Sequence, residues 1–184
     1  MYRFFLFALI TAAISCNSAS DKRDRISANQ KKILAARLKD PFAFGTYCNE
    51  RFAYCIGYPI FILFPQPESG SMDGRTFTNK EGEEILRVFG KHLPYNNNKP
   101  PGLLEQYNAD LKQIETTALS GSITITNKQV AARYYIISGH TETRMFYQKA
   151  VLKNNSIAYA IFQYNISEKS IYENVSGKII SSFN

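Results

Sequence analysis

Apolar and polar or small positions alternate through residues 51–58. Phe52, Tyr54, Ile56 and Tyr58 fall on one side, and Arg51, Ala53, Cys55 and Gly57 on the other. That is the period of a half-buried strand. Asn49-Glu50 ahead of it is turn chemistry, so residues 45–48 are expected to form the first arm of a hairpin. Pro59 ends the strand, and residues 60–64 are a short apolar run closed by Pro65-Gln66-Pro67. Residues 68–74 are rich in Gly, Ser and Asp, which favour bends over ladders. A second hairpin is predicted from residues 75–78 and 84–89 around Asn79-Lys80-Glu81-Gly82, with Gly82 suited to a positive φ.

Residues 92–101 form a polar stretch carrying Asn96-Asn97-Asn98. The pattern then changes to Leu103, Leu104, Tyr107, Leu111 and Ile114 at three- and four-residue spacings, which predicts a helix over 102–117. After Ser120-Gly121 come strand-like runs at 122–126 with 131–138, at 144–152 and at 157–164. The short turns Gly139-His140-Thr141 and Lys153-Asn154-Asn155 make an antiparallel meander the simplest topology. Ile171, Val175, Ile179, Ile180 and Phe183 mark a closing helix over 168–183. The expected fold class is α+β, an antiparallel β-sheet layered with helices.

The N-terminus has a different texture. Tyr2-Arg3 precedes an apolar run over 4–14 that is too short to span a bilayer as a mature helix and reads as an export signal. It ends in Ala13-Ile14-Ser15-Cys16, which resembles a bacterial lipobox. By that resemblance, cleavage after Ser15 leaves Cys16 as the lipidated first residue, and Asn17, in place of Asp, favours the outer membrane over the inner. Acyl chains contribute about 0.8 kcal/mol per buried CH2, so a multiply acylated Cys16 would be firmly anchored. The expected organisation is a lipoprotein signal at 1–15, a lipid anchor and basic tether at 16–40, and a globular domain at 41–184. Within the tether, residues 29–38 suit about two helical turns.

Composition enters here as a test of partners. The chain of 184 residues is 45% hydrophobic, enough for a core. Its net charge of +7 and pI near 9.3 invite a nucleic-acid reading. Counted by region, residues 17–40 hold seven basic and three acidic residues, whereas 41–184 hold fourteen and twelve. The excess lies in the tether, so a membrane surface is the expected neighbour and nucleic acid is not.

The run Cys48-Asn49-Glu50-Arg51-Phe52-Ala53-Tyr54-Cys55-Ile56-Gly57-Tyr58-Pro59, with Pro65-Gln66-Pro67-Glu68-Ser69, Asp73-Gly74-Arg75, Ser138-Gly139 and Phe146-Tyr147-Gln148-Lys149, resembles a group of uncharacterised bacterial exported proteins. Their element order looks like that of the PsbP/Mog1-like sandwich. The resemblance covers about residues 46–183 and implies a binding or assembly module and not an enzyme. On an exported, lipid-anchored chain the expected partner is another envelope protein. Cys55 stands where the group would be expected to carry a small residue such as Ser.

Candidate chemistry is sparse. Export permits a Cys48–Cys55 bond. A two-residue turn at Asn49-Glu50, however, would set Cys48 against Arg51 and carry Cys55 too far along the hairpin, so two buried thiols are expected. Gly70-Ser71-Met72-Asp73-Gly74 resembles a nucleophile elbow only loosely, because Ser stands second and precedes a strand. With His140 or His92 as base it defines a hydrolase alternative. Two His and no clustered Cys or acidic spacing leave no predicted metal or cofactor site. Asp73, Gly74 and Arg75 are the candidate binding loop. Twenty-one Phe and Tyr occur in 41–184, and any on an incompletely covered sheet face would suit a peptide, a glycan or a protein. The first alternative to the binding module is a periplasmic immunity or inhibitor protein against a toxin or hydrolase, and the serine-type hydrolase is the second.

Overall fold

The computed structural model describes residues 18–94, 102–117 and 122–184. The signal run with Ser15 and Cys16, the three asparagines at 96–98, and Ser120-Gly121 lie outside the described residues. The chain divides into two compact units, Met1–Pro41 and Phe42–Asn184.

In the first unit a single helix, α1, spans Ser18–Lys39, longer than the two turns expected. No Gly or Pro interrupts residues 18–40, so helix propensity runs unbroken until Pro41. Arg37 and Lys39 in its last turn complement the helix dipole. Ile33, Leu34 and Leu38 are exposed.

The second unit is built on a seven-stranded antiparallel sheet. Its strands are β3 (Phe64–Pro65), β4 (Gly74–Thr78), β5 (Glu84–His92), β6 (Thr124–Val130), β7 (Tyr134–His140), β8 (Arg144–Lys153) and β9 (Ser156–Asn165). The order across the sheet is β3-β4-β5-β9-β8-β7-β6. The meander β6 to β9 is as expected, and β9 then pairs with β5, from Leu86↔Phe162 to His92↔Ser156. The hairpin of β1 (Phe44–Asn49) and β2 (Tyr54–Pro59) stays outside this sheet as a separate pair. The apolar run after Pro59 is mostly a turn, since the N–H groups of Ile62 and Leu63 both return to the Pro59 carbonyl. Helices α2 (Leu103–Thr117) and α3 (Lys169–Ser182) complete the α+β sandwich.

The two faces of the sheet carry different cores. On one, the β1–β2 hairpin and α3 enclose a continuous cluster that includes Phe52, Tyr54, Ile56, Phe77, Val88, Phe162, Tyr172 and Phe183. The end of α3 is tied down three ways. Ser182 Oγ accepts the Gly57 N–H at 2.8 Å, and Asn184 exchanges two backbone bonds with Cys55 at 3.2 Å. Buried Lys149 donates to the carbonyls of Ile180 and Phe183 at 3.1 and 2.6 Å. On the other face α2 covers a smaller cluster around Tyr107, Tyr135, Ile137 and Tyr159.

The expectation of two buried thiols is wrong. Cys48 and Cys55 form a disulfide, with Cα atoms 4.1 Å apart. The turn is longer than two residues: the strands end at the Asn49↔Tyr54 pair, which sets Cys48 opposite Cys55. Asn49 closes that loop by accepting the Phe52 N–H at 3.0 Å, and Ala53 takes a positive φ of 51°. Because the Cys55 backbone bonds outward to Asn184, Cys48 and Cys55 are a non-hydrogen-bonded pair, the closer type of cross-strand neighbour. Cys48 is exposed and Cys55 half-buried.

Candidate binding loop and sheet clefts

The β3–β4 connection is held from inside by the hairpin tip. Ser69 and Gly74 close it through backbone bonds, with the Ser69 N–H on Gly74 O at 3.2 Å and the Met72 N–H on Ser69 O at 2.9 Å. Buried Asn49 donates to the Met72 carbonyl at 3.1 Å, and Arg51 donates to the Ser71 carbonyl. The Tyr54 hydroxyl donates to Asp73 O at 3.0 Å, and the Gly90 N–H adds a second bond to it at 2.8 Å. Phe52 sits so close over Gly90 that a Cβ there would lie 2.2 Å from its ring, which is why hairpin tip and sheet can meet.

Within this loop Gly74 is buried and Asp73 and Arg75 are half-buried, with the Asp73 carboxyl on the exposed edge beside Ser69. Hydrogen bonding from the Ser69 hydroxyl holds the Asp73 carboxyl below its ordinary value, against a smaller opposing effect of burial. A Cβ on Gly74 would fall 1.9 Å from the Val88 carbonyl, so the strand approach there excludes any side chain. Arg75 pairs with Glu68 at 3.5 Å and lies 4.9 Å over the Tyr47 ring. Tyr47 in turn donates to Glu68 at 3.1 Å, and burial pushes the Tyr47 and Tyr54 hydroxyls up.

What this framework presents outward is Met72. It is 63% exposed and held at φ 54°, a left-handed conformation that costs a non-glycine residue about 1 kcal/mol or more. Beside the loop lies a cleft of about 430 Å³ whose lining includes Gln66, Ser69, Asp73, Thr76, Arg87 and Phe89. Nothing in the sequence pattern marked Met72, since methionine carries no preference for positive φ. Arg51 was visible only as the polar side of a strand.

Phe89 also lines a second cleft, of about 270 Å³, between α2 and strands β5, β8 and β9. Buried Asp110 accepts from Gln106 at 2.7 Å, from Gln148 at 3.2 Å and from the Tyr135 hydroxyl. Burial first, and hydrogen bonding to Asp110 next, push the Tyr135 hydroxyl far up. The Tyr159 hydroxyl stands beside this group and is also pushed up, mainly by burial. Tyr135 and Asp110 lie close enough to act on its ionisation, but neither meets hydrogen-bond geometry with it, so its hydrogen bond is left unmade.

Ser71 and His140 of the hydrolase alternative are not brought together. Ser71 precedes β4, whereas His140 ends β7, with β5, β9 and β8 between those strands, roughly 19 Å at ordinary strand spacing. His140 Nδ1 lies 3.1 Å from the Thr141 carbonyl, and the His92 ring packs on Phe52 with centroids 5.1 Å apart. Among the described residues no three His, Cys, Asp or Glu side chains gather as a metal site. No helix among them is long and apolar enough to cross a membrane.

No family model matches the chain, and no curated protein matches it. Among solved structures it is similar to the solution structure of cyanobacterial PsbP (CyanoP) from Synechocystis sp. PCC 6803. The TM-score is 0.55 at 12% identity, covering 78% of this chain and 92% of that one. The fold is PsbP-like, as the sequence resemblance implied, and at this identity the likeness is one of fold alone.

Proposed function

We propose that the chain is an envelope lipoprotein, anchored through Cys16 in the outer membrane and facing the periplasm, whose folded domain binds or stabilises another envelope protein without catalysing a reaction. The observation that carries the binding reading is Met72. A solvent-facing methionine held at positive φ by a buried asparagine, an arginine and the hairpin tip is a costly arrangement for a mere connection. It is a fitting one for an apolar anchor offered to a partner. The loop is ordered before binding, which spares the entropy of fixing it on contact. Lipid anchorage would confine the encounter to the membrane surface and raise the local concentration.

Two measurements test this. Growth with radioactive palmitate should label the mature protein, whose N-terminus should be Cys16; an unlabelled product beginning elsewhere would remove the anchor. Purification from cross-linked envelopes should recover a discrete partner with the natural chain and lose it with Met72→Asp, while Ile171→Asp on α3 retains it. Equal recovery from both variants would contradict the loop as the binding element.

A further inference from the structure

The cleft under α2 plays no part in that reading, yet its chemistry is specific. Asp110 accepts three hydrogen bonds of the roughly four a carboxylate can take, and it borders the cleft. Tyr159 borders the cleft too; only 3% of it is exposed, and its hydroxyl, close to Tyr135 and Asp110, makes no hydrogen bond of good geometry. An unpartnered buried hydroxyl is costly unless something completes it. The walls are apolar, from Phe89, Ile114 and Ile161. The Phe89 and Tyr159 rings stack with centroids 5.1 Å apart, and Lys91 Nζ lies 4.9 Å from the Tyr159 ring centroid.

We propose that this cleft is a binding site for a neutral saccharide. The group that completes Asp110 and Tyr159 together must donate to a carboxylate and bond to a phenol, which one hydroxyl does. The apolar walls call for a ligand with C–H faces between its hydroxyls. A metal cation is disfavoured because Tyr135, Gln106 and Gln148 already turn donors towards Asp110 and Lys91 stands near. An anion is disfavoured by Asp110 itself. One negative and one positive group at the same cleft leave no net charge to select for, and a small polar set within an apolar lining is the usual composition of a ligand site.

The test is a titration of the full chain with cellobiose, maltose and N,N′-diacetylchitobiose, followed by amide chemical shifts. At least one sugar should give saturable shifts at Ile114, Tyr159 and Ile161. Tyr159→Phe and Asp110→Asn should each weaken that binding by about tenfold or more. Tyr159→Phe removes only the unpartnered hydroxyl, so the melting temperature of the free protein should hold or rise. Met72→Asp should leave sugar binding unchanged, which separates this site from the protein-binding loop. Three results would overturn the proposal: no saturable shift with any of the sugars, so that the cleft holds water only; undiminished binding by Tyr159→Phe; or a lower melting temperature for Tyr159→Phe, which would mean its hydroxyl is already satisfied within the protein. Tighter binding of glucosamine or glucuronate than of the neutral sugars would overturn the charge assignment.

Discussion

The two faces of the central sheet solve the problem of coverage differently. The face under the hairpin and α3 is sealed: its core is continuous, its covering hairpin is cross-linked, and Lys149, Ser182 and Asn184 fasten the last helix. Among the described residues, the face under α2 is covered on the β7 side, holds a buried polar group around Asp110, and opens into clefts over β4, β5 and β9. A rigid face can hold a strained loop in one geometry, and an open face can receive something. In this protein the first supports Met72 and the second places Asp110 and Tyr159 in the wall of a cleft.

The broadest way to sharpen the contrast is alkaline titration. Burial raises the folded pKa of Tyr47, Tyr54, Tyr164 and Tyr172 on the sealed side, the last to about 12, and of Tyr135 and Tyr159 on the open side, from the ordinary phenol value of about 10. Their stabilisation is fully present below pH 10 and is lost as pH rises above it, because the unfolded chain releases protons that the folded one keeps. Each tyrosine kept protonated costs about 1.4 kcal/mol of stability per pH unit in that range. Urea midpoints should fall steeply above pH 10, and ultraviolet titration should show these phenols ionising only as the chain unfolds. Lys149, lowered by burial, acts in the opposite sense just below pH 10.5, so Lys149→Met should make the onset of the fall earlier in relative terms.

Next in size is Phe162→Ala. Phe162 has no exposed surface and contacts the rings of Tyr147, Tyr164 and Tyr172. Its truncation should cost about 3–5 kcal/mol by urea unfolding. The open-face counterpart Ile161→Ala, only half-buried, should cost distinctly less. Equal losses would erase the difference between the faces. Removing the disulfide with Cys48→Ser and Cys55→Ser, which frees a separation of seven residues, should cost about 2.5 kcal/mol. It should also raise hydrogen exchange at Met72 and Asp73 more than at Tyr135. Smallest is Ser69→Ala: the hydroxyl that lowers the Asp73 pKa is on an exposed loop, so stability should change by about 0.5 kcal/mol or less. Asp73 should titrate closer to its ordinary value by carboxyl NMR.

The parts of this architecture written in local patterns were legible. Helices α2 and α3, the β4–β5 hairpin with Gly82 at φ 84°, and the meander follow from periodicity and turn residues. The β5–β9 pairing was not legible, because it joins segments some seventy residues apart and no local signal encodes it. The disulfide is not legible in the sequence because Asn49 reads equally as a turn residue and as a cap, and only its bond to Phe52 lengthens the loop. Ala53 and Met72 both adopt left-handed backbone without the Gly or Asn that would announce it. The bend before β4 is legible from its Gly, Ser and Asp residues, but whether Asp73, Gly74 and Arg75 face inward or outward depends on Tyr47, Tyr54 and Glu68, which lie elsewhere in the chain.

The most direct test of the account is photo-cross-linking in intact envelopes, with a photoreactive side chain placed at Met72 or at Ile171. Both natural residues are exposed, at 63% and 43%, but only Met72 sits on the clamped loop. The account predicts a discrete protein adduct from position 72, none from position 171, and loss of the adduct when Asn49→Ala releases the loop. Adducts of equal yield from both positions, or an adduct from position 171 alone, would contradict it.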